Sequence, residues 1–289
     1  MVGQEELVRT TFDVLSLTSI LVLLVLGMGV IVSMMGIFNL AHGELVLLGA
    51  LTVYLADQAG ISTWFGILAA PLIVGAVGLL LERTVIQRFY ARPVAALLGT
   101  WALGLIIREF VRLGIGGVSK SVRAPLFGTM SIGGASLSLW RVFIVAVTVV
   151  VVVAAYVLLR RTSVGLRVRA TLDNPALAKA SGIRTRRVYA GTFAFGAALA
   201  GLAGALVVPL QSIYPELGVT FLMRSFLAVM IGGMGSFESP IVGAALIGVP
   251  SGFLPFHISA VFSDVLVFAL AITLMRFRPE GLIGGGRTT

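Results

Sequence analysis

The sequence predicts an all-α integral membrane protein: a polytopic bundle of eight or nine transmembrane helices with one short helix in a cytoplasmic loop. Three observations predict it. Apolar residues fill 58% of the 289 positions and charged residues 11%, against roughly 25% charge in a soluble domain. The apolar residues come in runs, the longest of them reaching the 18 or so residues that cross hydrocarbon as a helix. The basic residues gather in the connections between runs, as they do in cytoplasmic loops.

The first run is Leu15–Met35. The stretch before it carries Glu5, Glu6 and Asp13 against Arg9. A secretory signal starts basic, so this run is expected to remain as a span. A polar interruption follows at Asn39-Leu40-Ala41-His42-Gly43-Glu44, then a shorter run, Leu45–Ala56, and a turn at Gly60. Trp64–Leu81 is the third run and ends on Glu82, Arg83, Arg88 and Arg92. Ala95–Ile107 is the fourth and is bounded by Arg108, Glu109 and Arg112. Gly114–Ser138, rich in Gly, Ser and Thr, reads as a loop outside the hydrocarbon. Val142–Leu159 is dense in valine, but in lipid every backbone amide must pair within its own segment, so it is predicted helical.

The next connection, residues 160–187, is strongly basic: Arg160, Arg161, Arg167, Arg169, Lys179, Arg184, Arg186 and Arg187 face one acid, Asp173. Within it, Asn174 suits an N-cap, Pro175 the first helical position and Gly182 the residue just past the end. Ala, Leu and Lys between them favour helix. A capped helix of about two turns is unstable alone in water, so it must rest on its own membrane domain, on lipid, or on a partner protein. Leu177 is its one large apolar side chain, which argues against lipid binding by this helix.

Gly191–Leu210 is built on small residues. The spacings Ala197/Gly201 and Ala200/Gly204, with Gly196 a turn earlier, admit a neighbouring helix closely. Phe221–Ile231 and Ile241–Phe256 are separated by Gly232-Gly233-Met234-Gly235-Ser236 and Pro240. Gly232 and Gly233 are assigned to close packing, with a helix break as the alternative. Val261–Met275 is the last run, and the tail is basic and Gly-rich. With the 160–187 loop inside, eight spans place Arg276 and Arg278 outside. Two crossings within 221–256 bring them back inside and make nine.

A net charge of +9 does not indicate nucleic-acid binding here, because the cations mark loops. There is no cysteine, so there are no disulfides or thiolate metal sites. His42 and Glu44 do not form the His-Glu-x-x-His of a zinc protease, and no Gly-x-x-x-x-Gly-Lys-Ser/Thr phosphate loop is present. No catalytic or metal-binding residue is assigned.

Gly36-Ile37-Phe38-Asn39-Leu40-Ala41-His42-Gly43-Glu44 resembles the N-terminal motif of permeases in branched-chain amino acid and urea/amide ABC importers. Arg169-Ala170-Thr171-Leu172-Asp173-Asn174-Pro175, Gly182-Ile183 and the segment Gly196–Gly204 resemble that family's coupling loop and the helix after it. Val229–Gly235, with Ile231-Gly232-Gly233-Met234-Gly235, and Phe277-Arg278-Pro279-Glu280-Gly281-Leu282 resemble its C-terminal third. The resemblance runs in order over nearly the whole chain. It implies a single permease domain over residues 1–289 in the bacterial inner membrane. It also implies a second permease subunit, two cytoplasmic ATPases that use ATP, and an extracytoplasmic solute-binding protein. No cofactor is expected on this chain itself. Arg92-Pro93, Gly99–Leu105 and Pro215–Gly218 lean toward the urea and amide branch, with branched-chain amino acids as the other substrate class.

The resemblance makes Arg169, Asp173, Asn174, Pro175, Leu177, Lys179 and Gly182 the expected ATPase-coupling residues. Asn39, His42 and Glu44 interrupt apolar sequence, and ionisable groups at membrane depth normally face a cavity or a partner. They are expected to line or gate the passage, to brace the break, or to lie in a solvated turn. Thr100 and Trp101 offer a hydroxyl and an indole N–H to a polar solute, with interfacial anchoring the other role for Trp101. A stand-alone secondary transporter or channel is the competing class; it would need several buried acids, of which Glu44 is the candidate. An intramembrane enzyme finds no nucleophile–base set to build on.

Overall fold

The computed structural model describes residues 4–36, 38–90, 92–132, 134–233, 236–278 and 281–283. The helices are α1 (Gln4–Met35), α2 (His42–Gln58), α3 (Thr63–Thr84), α4 (Pro93–Ile115), α5 (Leu139–Arg161), α6 (Ser163–Asp173), α7 (Pro175–Ala180), α8 (Thr185–Val207), α9 (Leu217–Gly232), α10 (Glu238–Phe253) and α11 (Ala260–Phe277). One antiparallel hairpin, β1 (Thr129–Ile132) with β2 (Ala135–Ser138), stands in the loop before α5; Thr129 pairs with Ser138. Among the described residues seven helices are long and apolar enough to cross a membrane, the sixth of them extending α10 to Phe256; α9 is apolar but shorter.

Several boundaries move from the sequence expectation. The fourth run does not stop at Arg108: α4 carries Arg108, Glu109 and Arg112 inside the helix and closes at Gly116, whose φ is +75°. Residues 163–173, read from sequence as polar connection, form α6, with the Thr162 hydroxyl accepting from Gly165 N at 3.3 Å. The Gly-rich loop contains a hairpin rather than irregular chain alone. Met234, Gly235, Pro279 and Glu280, quoted in the motifs above, lie outside the described residues, as does Ile37.

α1 and α8 form the centre, whereas α4, α5 and α11 leave most of their surfaces uncovered. Lipid tails are as apolar as leucine, so helices in a membrane associate through close packing rather than exclusion from water. The small residues of α8 supply it. Gly196 meets Gly27 of α1, Gly201 meets Gly49 of α2 and Val74 of α3, and Gly204 meets the Val46 carbonyl of α2. A β-carbon at any of these would overlap a neighbour. Gly232 packs against Ser239, the crossing of α9 with α10, while Gly233 ends α9 at φ +95°.

The bundle has two chemically different ends. At the end where α1 finishes, the Thr192 hydroxyl approaches Met34 Sδ at 3.5 Å. The Tyr90 and Tyr189 rings join the exit of α3 to the entry of α8, 5.2 Å apart. Arg160 of α5 pairs with Glu238 of α10 at 2.9 Å, and Leu282 N donates to Ile231 O at 2.9 Å. The basic 160–187 loop and Arg276 share this end. At the opposite end Arg141 pairs with Asp13 at 3.0 Å, and Lys120 and Ile213 exchange backbone hydrogen bonds of 2.9 and 2.7 Å. α10 runs antiparallel to α1, with Pro240 against Gly29 and Gly248 against Thr18.

Candidate functional site

The chain breaks after α1. Gly36 takes φ +65° and the backbone turns back on itself before α2 starts at His42. His42 lies at the depth of Leu24, whose carbonyl is 3.2 Å from Nε2. Leu24 precedes the end of α1 by about 16 Å of helix, at 1.5 Å per residue. α2 therefore begins deep inside the bundle, and its first turn, with no side-chain cap, brings polar groups there.

Each group in the break has a definite place. The Asn39 side-chain carbonyl accepts from Ala41 N at 3.1 Å. Thr100 Oγ1 of α4 accepts from Leu40 N at 3.1 Å and donates to Ala96 O at 2.9 Å. Thr100 thus clamps the break to α4. Trp101, one residue on, points to the uncovered side of α4 and is 43% exposed. Thr100 and Trp101 therefore do not face one solute together, because consecutive helical residues diverge by about 100°.

His42 and Glu44 also diverge. His42 turns to α1. Glu44 turns to α4 and α9, where its Oε1 accepts from Arg108 Nε at 3.1 Å and from Arg108 Nη2. The Glu44 side chain is 2% exposed and that of Arg108 15%. A β-carbon on Gly218 of α9 would press on the same carboxylate, and Gly104 of α4 leaves its Cγ room. Among the described residues, Glu44 Oε2, His42 Nδ1 and Asn39 Nδ2 are buried without hydrogen-bond partners. Four residues along α4, Arg112 pairs with Glu216 at 2.7 Å. The result is a charged seam from the α2 entry along α4 to the α9 entry.

Three pairings are not visible in the pattern of apolar runs. By its sequence alone Arg108 marks a boundary of the fourth run. The signal was the i, i+4 stripe Ala96, Thr100, Gly104, Arg108, which marks one helix face. Glu82, which ends the third run in the sequence, is fully buried and accepts a hydrogen bond from Tyr90 Oη. Burial first, then that hydrogen bond, holds the Tyr90 phenol well above its usual range. Arg224 and Asp264 sit within apolar α9 and α11 and pair at 3.2 Å, partly exposed; nothing local in either apolar run announces a partner.

In the loop, Asn174 caps α7 by accepting from Leu177 N at 2.9 Å, Pro175 is the first helical residue and Gly182 takes φ +84°. Leu177, Lys179 and Asp173 are exposed. Arg169 differs: its guanidinium donates to the Leu159 carbonyl of α5 and ties α6 back to the bundle instead of presenting itself outward.

Membrane-length helices packed around a buried polar break make this a multi-pass membrane protein. A family model described as branched-chain amino acid transport system / permease component matches residues 10–275. The chain belongs to that family, the permeases of branched-chain amino acid ABC importers. It is 29% identical to the high-affinity branched-chain amino acid transport system permease protein LivH of Salmonella typhimurium, over 94% of both chains. It is 25% identical to BraD of Pseudomonas aeruginosa, a permease protein of a transport system so described, over 93% of both. PsaBC from Streptococcus pneumoniae, solved with a Fab, shares the fold, with a TM-score of 0.53 at 15% identity over 94% of this chain and 93% of that one.

Proposed function

We propose that this chain is one of two permease subunits of an ATP-driven importer in the bacterial inner membrane and carries branched-chain amino acids inward. Two cytoplasmic ATPases grip it through α7, and an extracytoplasmic binding protein delivers the solute at the far end. The observation that carries this reading is the capped helix α7. It sits in the basic loop with Leu177 and Lys179 exposed, on a chain with no phosphate-binding loop of its own. Closure of an ATPase dimer would shift α7 and bias the permease between inward-open and outward-open forms.

In this reading α2 and α9 cross the membrane together with the seven longer helices, which makes nine crossings. The acidic N-terminus is then outside, and the 160–187 loop and Arg276 are inside, in keeping with the positive-inside rule. The passage runs along the seam of Glu44, Arg108 and Thr100, against a second permease subunit. Arg224 and Asp264 lie at membrane depth and are only partly covered, and such charges face protein or water rather than lipid.

The charged seam at an interrupted helix suits a zwitterion, since a helix N-terminus and Arg108 favour a carboxylate. That favours amino acids over urea, as do the names of the relatives. Urea and short amides are the second reading, on Arg92-Pro93 and Gly99–Leu105. Replacing Asn174–Lys179 by a Gly/Ser linker should abolish leucine uptake by the assembled transporter while the chain still inserts; normal uptake refutes the role of α7. Competition of labelled leucine uptake by excess urea decides between substrates.

A further inference from the structure

On the cytoplasmic side a cleft of about 370 Å³ opens between α5, α6 and α8. Its walls are Leu158 of α5, Val164 of α6, Val188 and Phe195 of α8, and Val30 of α1. Arg167 of α6 and Arg187 of α8 stand exposed at it. Among the described residues neither guanidinium has an ion-pair or hydrogen-bond partner. The cleft thus has a doubly cationic rim and an apolar interior.

Its position decides what would fill it. α5 and α8 are membrane-length helices, and both Leu158 and Val188 lie within the last or first turn at the basic end of the bundle. Phe195 lies about 12 Å deeper along α8 than Arg187, by helix rise. The cleft therefore runs from headgroup level into the acyl region. α6 adds Val164 and Leu166 on its open surface, each more than half exposed beside Arg167, the pairing of apolar and basic side chains found on interfacial helices.

We propose that this cleft holds one anionic phospholipid, its phosphate between Arg167 and Arg187 and an acyl chain against Val164, Val188 and Phe195. The occupied site would brace α6 against α8, on either side of α7, so the lipid would set how firmly the coupling loop is anchored. The inference rests on the membrane reading of the fold and not on which solute is carried.

The test is native mass spectrometry of the full-length chain in detergent, titrated with phosphatidylglycerol, phosphatidylcholine or glycerol phosphate. Phosphatidylglycerol should bind at least roughly tenfold more tightly than phosphatidylcholine, and the Arg167→Gln/Arg187→Gln variant should lose that preference. Gly191 lines the cleft and a β-carbon there meets nothing within 4 Å, so Gly191→Leu should block the lipid without lowering the melting temperature. Unchanged phosphatidylglycerol binding in either variant overturns the site. Glycerol phosphate binding as tightly as the lipid overturns the lipid assignment in favour of a small-anion site. Loss of ATPase co-purification in the double-arginine variant with lipid binding intact overturns it in favour of a docking surface.

Discussion

Arg108 donates to the Glu44 carboxylate through both Nε and Nη2, across 64 residues of sequence, and joins the entry of α2 to the middle of α4. Both side chains are largely withdrawn from solvent. Breaking such a pair from one side strands a buried charge, at a cost of about 3–5 kcal/mol. Arg108→Leu should therefore lower the melting temperature in detergent and bring uptake to background. Glu44→Gln/Arg108→Gln should melt closer to wild type than Arg108→Leu alone. Equal melting of Arg108→Leu and wild type would show that the pair is not buried as described.

The glycines of α8 are not equivalent. Gly204→Val forces a side chain into the Val46 carbonyl, and overpacking of this kind costs about 1–3 kcal/mol. Gly191→Ala points into open space and should gain up to about 1 kcal/mol from helix propensity. Thermal denaturation of the two variants should move in opposite directions, and movement the same way would contradict the packing at Gly204.

Tyr90→Phe removes the donor to buried Glu82. An acceptor left unsatisfied costs about 1–3 kcal/mol, so the variant should melt earlier. Restoring stability by the further change Glu82→Gln, which takes away the stranded carboxylate, would mark the hydrogen bond rather than the ring as the cause. No difference between Tyr90→Phe and wild type would exclude it.

Asn174→Ala deletes the α7 cap, worth about 1 kcal/mol. In the assembled transporter it should weaken uptake and ATPase co-purification together, while Asn174→Ser, which still caps, should preserve both. A fall in uptake with intact co-purification would separate the cap from docking.

Arg224→Asp and Asp264→Arg should each impair assembly with the second permease subunit, measured by co-purification, and the double reversal should recover part of it. The ion pair is partly exposed, so the readout is assembly and not monomer stability. Intact assembly in both single variants would remove this face from the interface.

Much of the fold was legible in the chain. Long apolar runs announced the membrane helices, because backbone amides in hydrocarbon have no other way to pair. Asn174, Pro175 and Gly182 announced α7 with its boundaries, because capping is a local interaction of a side chain with the next turn. α6 was not legible: its arginines read as connection, and it is a helix held in part by the Arg169 bond to the Leu159 carbonyl. Asn39, His42 and Glu44 announced a break in the helix, but not that the chain doubles back to the depth of Leu24.

Run length, loop charge and local capping are properties of neighbours in sequence, and they were enough to establish a multi-pass membrane protein with a basic, helix-bearing loop. The pairing of Glu44 with Arg108, of Glu82 with Tyr90 and of Arg224 with Asp264 needed the packed structure. An isolated charge in an apolar run says only that a partner must exist, and which helix brings that partner within reach depends on the crossings that α8's small residues allow. Burial in a low-dielectric interior makes each such partner matter, and only the assembled bundle decides who it is.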